Sequence, residues 1–132
     1  MKIAVTATGE GLDSEVDPRF GRCAYFIIAE IENNELKDHK AIKNPAADNR
    51  GGVGIASAQL MGNEKIEVVI TGNVGPNAFA TLEQLKIKMY QAKGTVKEVI
   101  EDFIKNELTE LKESGDFNKV WDKCQIKNSK NT

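Results

Sequence analysis

Thiol and imidazole side chains are scarce in this chain: Cys23, Cys124 and His39 are all it has in 132 residues. Two cysteines that far apart exclude a disulfide framework and point to a reducing, cytoplasmic setting. They also exclude a protein-built iron–sulfur site, which ordinarily takes four thiolates. Cationic surplus is missing too: 18 Lys and Arg stand against 20 Asp and Glu, a formal charge of −2. Nucleic acid and anionic membrane need a basic stripe to displace counterions, so neither is expected as a partner. No apolar run approaches the ~20 residues of a membrane span. The chain opens directly as a strand, Met1-Lys2-Ile3-Ala4-Val5, so no leader segment is expected. A Gly-x-x-x-x-Gly-Lys-[Ser/Thr] phosphate loop is absent, which argues against a P-loop nucleotide hydrolase. The Gly72 to Gly75 run is too short for a dinucleotide fingerprint. His39 falls in a predicted strand far in sequence from either cysteine and reads as a surface residue. No Ser-His-Asp or Cys-His arrangement stands out, and there is no repeat or low-complexity tract.

What the chain does have is ordinary globular composition, 40% hydrophobic and 29% charged, enough for one domain with a real core. Ile3 to Ala7 reads as a short buried strand. Ala24 to Ile31 and Glu35 to Ile42 form a hairpin around Asn33-Asn34, since asparagine tolerates positive φ. Ile55 to Met61 reads as a helix stopped by Gly62-Asn63. Ile66 to Thr71 is a strand covered on both faces, Asn77 to Leu85 a helix opened by Pro76, and Ile87 to Ala92 a fifth strand. Thr95 and Glu98 make a capping box for a helix whose apolar face carries Val96, Val99, Ile100, Phe103 and Ile104. The expected fold is α/β, a mixed five-stranded sheet with flanking helices, in a domain over residues 1–106. Residues 107–132 read as a C-terminal extension, with Phe117, Val120, Trp121 and Cys124 on one short amphipathic helix and a frayed polar end.

Strand–helix–strand units favour parallel pairing with right-handed crossovers. The end of the first strand, the start of the second and the ends of the other three then share one edge. Every glycine-rich loop falls on that edge: 8–22, 43–54, 71–77 and 92–95. Ligands of open α/β sheets bind there. Only three of the 18 cationic residues are arginine, and all three sit in these loops: Arg19, Arg22 and Arg50. Planar guanidinium forks beside Gly21, Gly51, Gly52 and Gly54, whose amides allow close approach, suit a bulky anion. Alternatively the arginines pair with Asp13, Asp17 or Asp48 and only pin the loops. Cys23, next to Arg22, is a candidate metal ligand if the cation favours thiolate; as a buried cysteine it would be a small hydrophobe. Two-metal nuclease chemistry needs several carboxylates, yet the first strand has none and the fourth offers only Glu67.

Four motifs resemble those of a known family: Asp17-x-Arg19-Phe20-Gly21-Arg22-Cys23-x-Tyr25, Arg50-Gly51-Gly52-Val53-Gly54, Thr71-Gly72-Asn73-Val74-Gly75-Pro76-Asn77-Ala78-Phe79 and Val96-Lys97-Glu98-Val99-Ile100. In order, over residues 1 to about 106, they look like the dinitrogenase iron–molybdenum cofactor-biosynthesis family, which includes NifX-like and NifB C-terminal-like small cluster-binding proteins. The resemblance implies a ribonuclease H-like three-layer fold and non-enzymatic binding or carrying of a metal–sulfur cluster. It places the contacts at Arg19, Gly21, Arg22, Arg50, Gly51, Gly52, Gly72, Asn73, Gly75 and Asn77. Carriers in the family often have histidine before the Phe-Gly pair, where this chain has Arg19, so a charge contact replaces a metal ligand. An iron–molybdenum cluster, a molybdenum- or copper-containing sulfide and a simple iron–sulfur cluster are all admitted as cargo. A cofactor-assembly protein or an iron–sulfur-type ATPase is the partner class this implies. The competing reading is a regulatory or scaffolding module that binds a partner protein through the same loops.

Overall fold

The computed structural model describes residues 1–112. Six strands form one sheet in the order β3-β2-β1-β4-β5-β6. They are β1 (Lys2–Ala7), β2 (Tyr25–Glu32), β3 (Glu35–Lys43), β4 (Val68–Thr71), β5 (Lys88–Gln91) and β6 (Thr109–Leu111). The helices are α1 (Val53–Asn63), α2 (Pro76–Gln84) and α3 (Val96–Ile104). β1, β4 and β5 run parallel, β2 runs against β1, β3 against β2 and β6 against β5. Asn33 and Asn34 both take positive φ, 52° and 62°, which is what a two-residue hairpin requires if its twist is to match the strands.

Alternation along the central strands builds two cores. Ala4 and Val69 face α1 and α2, whose Met61, Phe79 and Leu82 fill that side. Ile3, Val5 and Ile70 face α3 with its Val96, Val99 and Ile100. The three layers are thus two helices, the sheet, and one helix. α3 is nucleated by the expected capping box: Thr95 Oγ1 accepts from the Glu98 amide at 3.2 Å. No helix among the described residues is long and apolar enough to cross a membrane.

The structure corrects two expectations. The sheet has six strands, not five, because Thr109–Leu111 pairs antiparallel with β5 and drops Leu111 over Met89 into the α1/α2 core. Three residues are too few to carry a period-2 signal. Helix α1 runs on through Gly62 and Asn63, the expected stop, and is closed just beyond by Lys65 (φ 59°), with the Ile66 amide bonded back to Met61 at 3.0 Å. Lys86 and Asn106 end α2 and α3 in the same left-handed way, satisfying the last carbonyls of each helix. The expected amphipathic stretch Phe117 to Cys124 lies outside the described residues.

Because Leu111 is fully part of the core, Leu111→Ala should lower stability by about 2–4 kcal/mol in urea denaturation. A loss under about 0.5 kcal/mol would mean that β6 is not a working member of the sheet.

Candidate functional site

The strand register brings Ala7, Tyr25 and Lys43 to one end of the sheet, and Thr71 and Gln91 to the same end. The glycine-rich loops do share this edge. The loop after β1 is tied down first. The Asp17 amide donates to the Thr6 carbonyl (2.9 Å), and the Thr6 hydroxyl donates to the Asp17 carbonyl (2.7 Å). The Thr71 hydroxyl, 2.8 Å from that of Thr6, joins β4 to the same node. A Cβ on Gly72 would lie 2.7 Å from Pro18 Cα, so this glycine is where the β1 and β4 loops touch.

Two helices begin beside this contact. α1 starts from Gly52 in left-handed geometry (φ 67°) and α2 from Gly75, followed by Pro76. Neither has a side-chain cap or an acid in its first turn. Their first amides therefore keep the partial positive charge of a helix start. Gly54 lets the two helices converge, since a Cβ there would meet Ala78 Cβ at 3.0 Å. Between the helix starts and the β1 loop lies a cleft of about 380 Å³. Arg19, Gly21, Arg22, Gly52, Asn73, Gly75 and Asn77 line it, together with apolar Val53, Ile55 and Pro76. Among the described residues no acidic side chain is in its walls.

The other expected contacts lie elsewhere. Arg50 and Gly51 are exposed and outside the cleft wall, and Gly72 is taken up by the Pro18 contact. Arg19 realises part of the pinning alternative. Its amide (3.0 Å), Nε (3.2 Å) and Nη2 (3.3 Å) all donate to the buried Asp17 carboxylate, while its side chain stays 63% exposed at the cleft. The hydrogen bond and charge of Asp17 raise the Arg19 pKa further, so it is a permanent cation with one edge engaged. Arg22 reaches back with Nη1 to the Ala47 carbonyl at 3.2 Å.

Cys23 lies in the core, not on the cleft, and its thiol donates to the Phe20 carbonyl. Burial, reinforced by Asp17, pushes it up to about 12. Asn44 and Ser57, which sequence reasoning passed over, hold the Gly21 carbonyl at 3.0 and 3.1 Å. Their separations of 23 and 36 residues from Gly21 carry no local signal.

Two outcomes test this geometry. Gly72→Ala should cost about 1–3 kcal/mol, because its Cβ meets backbone. Gly51→Ala, with open space around it, should change stability by less than about 0.5 kcal/mol in the same urea series. For Cys23, the unfolded thiol ionises near 9.0 and the folded one near 12. Its contribution is therefore complete below pH 9.0 and falls as pH rises toward 12. Cys23→Ala should flatten that alkaline loss, and iodoacetamide at pH 8 should label Cys23, read by peptide mapping, only after denaturation; labelling at Cys23 in the native protein would contradict its burial.

Comparison with known proteins places this edge in context. Residues 1–106 match the family described as dinitrogenase iron–molybdenum cofactor. An uncharacterised protein of Methanocaldococcus jannaschii is 38% identical over 109 residues, spanning 82% of this chain and 89% of that one. The apo orange protein of Desulfovibrio gigas superposes with a TM-score of 0.76 at 35% identity, covering 83% of this chain and 92% of that one. A candidate NifB protein from Thermotoga superposes with a TM-score of 0.68 at 33% identity, covering 86% and 98% of the two chains. With most of its length matched, this chain belongs to the dinitrogenase iron–molybdenum cofactor family.

Proposed function

We propose that this protein is a non-enzymatic carrier of a metal–sulfur cluster, of iron–molybdenum type or a related Mo/Cu/Fe sulfide, acting in cofactor assembly. The observation that carries this reading is the convergence of two uncapped helix starts with Arg19 and Arg22 on one acid-free cleft. Amide N–H groups and guanidinium edges stabilise a bulky anion without bonding to its metal. Among the described residues no three of His, Cys, Asp or Glu gather as a metal site; the cargo's own sulfides would face the protein. Family membership supports the same reading, and the D. gigas neighbour has a solved apo form. The order β3-β2-β1-β4-β5, with only β2 opposed to the rest, fits the ribonuclease H-like class implied by the resemblance. A cytoplasmic setting, with a cofactor-assembly protein or iron–sulfur-type ATPase as delivery partner, completes the proposal.

One feature favours the second reading, a regulatory module that docks a partner protein: Ile55 stands 39% exposed on the cleft wall. Anaerobic titration of ¹⁵N-labelled protein with tetrathiomolybdate, with and without copper, separates the two. The carrier reading expects saturable amide shifts within residues 19–22, 52–55 and 73–78. Arg22→Ala should weaken that binding about tenfold, the worth of a hydrogen bond to a charged group. Arg50→Ala, outside the cleft wall, should change it less than twofold. Shifts scattered over the lysine-rich surface, or none, would sink the carrier and leave the partner module.

A further inference from the structure

The Gly21 carbonyl accepts from two side-chain donors, one for each of its lone pairs. Asn44 Nδ2 approaches it at 3.0 Å and Ser57 Oγ at 3.1 Å, and both residues are buried. Asn44 is itself fixed: its Oδ1 accepts from the Ala46 amide (3.0 Å) and its Nδ2 also donates to the Cys23 carbonyl (3.0 Å). Ser57 is fixed by its place on α1, whose first turn presses on Gly21; a Cβ at Gly21 would be 3.0 Å from the Gly54 amide nitrogen. The carbonyl is thus held against the body of the protein from two sides.

No peptide bond among the described residues is cis. In a planar trans peptide the N–H projects opposite to the C=O of the same unit. The partner of the clamped Gly21 carbonyl is the Arg22 amide, which therefore points away from Asn44 and Ser57. Among the described residues it donates to no acceptor, and both Gly21 and Arg22 line the cleft.

We infer that the Gly21–Arg22 peptide is a preset hydrogen-bond donor for the anionic cargo, and that Asn44 and Ser57 are the positioning residues that keep it from flipping. This rests on the cleft being the anion site. Were the peptide to turn over, the Gly21 carbonyl would present a negative oxygen where the cargo needs a donor. The same unit would change from attraction to repulsion without any side chain of the cleft being altered. A donor oriented beforehand also spares the bound state the cost of ordering it.

The test uses the full-length ¹⁵N-labelled protein and anaerobic tetrathiomolybdate. In the wild type the Arg22 amide proton should move downfield with saturation as the anion binds. Ser57→Ala removes one clamp. Asn44→Asp keeps the acceptor to Ala46 but sets a carboxylate oxygen against the Gly21 carbonyl. Each should retain a dispersed spectrum, bind about tenfold more weakly, and lose the Arg22 shift while keeping shifts at residues 52–55. Ser57→Thr, which retains the hydroxyl, should restore both. If Asn44→Asp does not fold, Ser57→Ala with its threonine rescue decides alone. A saturated wild type whose Arg22 amide is unmoved, or folded variants that bind like wild type, would overturn the positioning role and leave the anion site standing. No saturable binding by the wild type would remove the anion site and this inference together.

Discussion

The Asp17 carboxylate is only 2% exposed, lying where β1 and β4 end. A charge withdrawn from water must find partners or it destabilises the fold by several kcal/mol. Asp17 meets that demand with its near neighbour Arg19, through the amide and two guanidinium nitrogens. Its own main chain meanwhile bonds to Thr6 on both sides, and the Thr6 hydroxyl meets that of Thr71. The loop after β1 is consequently fixed to two parallel strands at once. The positions of Arg19, Phe20 and Gly21 on the cleft follow from that anchoring, as does the Phe20 amide bond to the Asn73 carbonyl at 3.2 Å.

The two faces of the sheet are finished differently. α3 has a full capping box, in which Thr95 and Glu98 satisfy each other's amides, and its Val96 and Lys97 amides donate to the Ser14 and Leu12 carbonyls of the loop after β1. α1 and α2 begin at glycines with no side-chain cap. Replacing a good N-cap by glycine costs only a few tenths of a kcal/mol, so leaving these starts open is cheap. The gain is a pair of unblocked helix starts brought together by Gly54 against Ala78. Stability devices and free donors thus sit on opposite sides of β1 and β4.

Local rules made much of this legible before any coordinates. Asn33-Asn34 announced the hairpin because few residues accept positive φ, and Thr95 with Glu98 announced α3 because the capping box is contained in four residues. Strand direction alone gathered the loops at one edge. Long-range contact decided the remainder. β6 is three residues held by its neighbour β5, and Lys65 and Lys86 took left-handed geometry that the rule for glycine assigns elsewhere. Both readings of the arginines were open in the sequence. The structure divides them: Arg19 pairs with Asp17 yet reaches the cleft, Arg22 lines it, and Arg50 stays outside. Asn44 and Ser57 could not be read because their common partner is a carbonyl, and main-chain acceptors leave no mark in a sequence.

The arginine at position 19 shows why residue chemistry and anchoring belong to one argument. A guanidinium has five N–H donors in a rigid plane and keeps its charge at any ordinary pH. Arg19 gives its Nε and one Nη2 contact to Asp17, and the remaining edge is turned out at a side chain 63% exposed. Lysine has a single ammonium nitrogen on a flexible stem. Placed here, it could neutralise Asp17 or reach the cleft, but the two demands lie in different directions from one point charge. A planar fork meets both from a fixed position, so the interaction that stabilises the loop also orients the cation at the cleft. Arg19 and Arg22, two of only three arginines among 18 cationic residues, thus stand where the direction of a guanidinium contact matters.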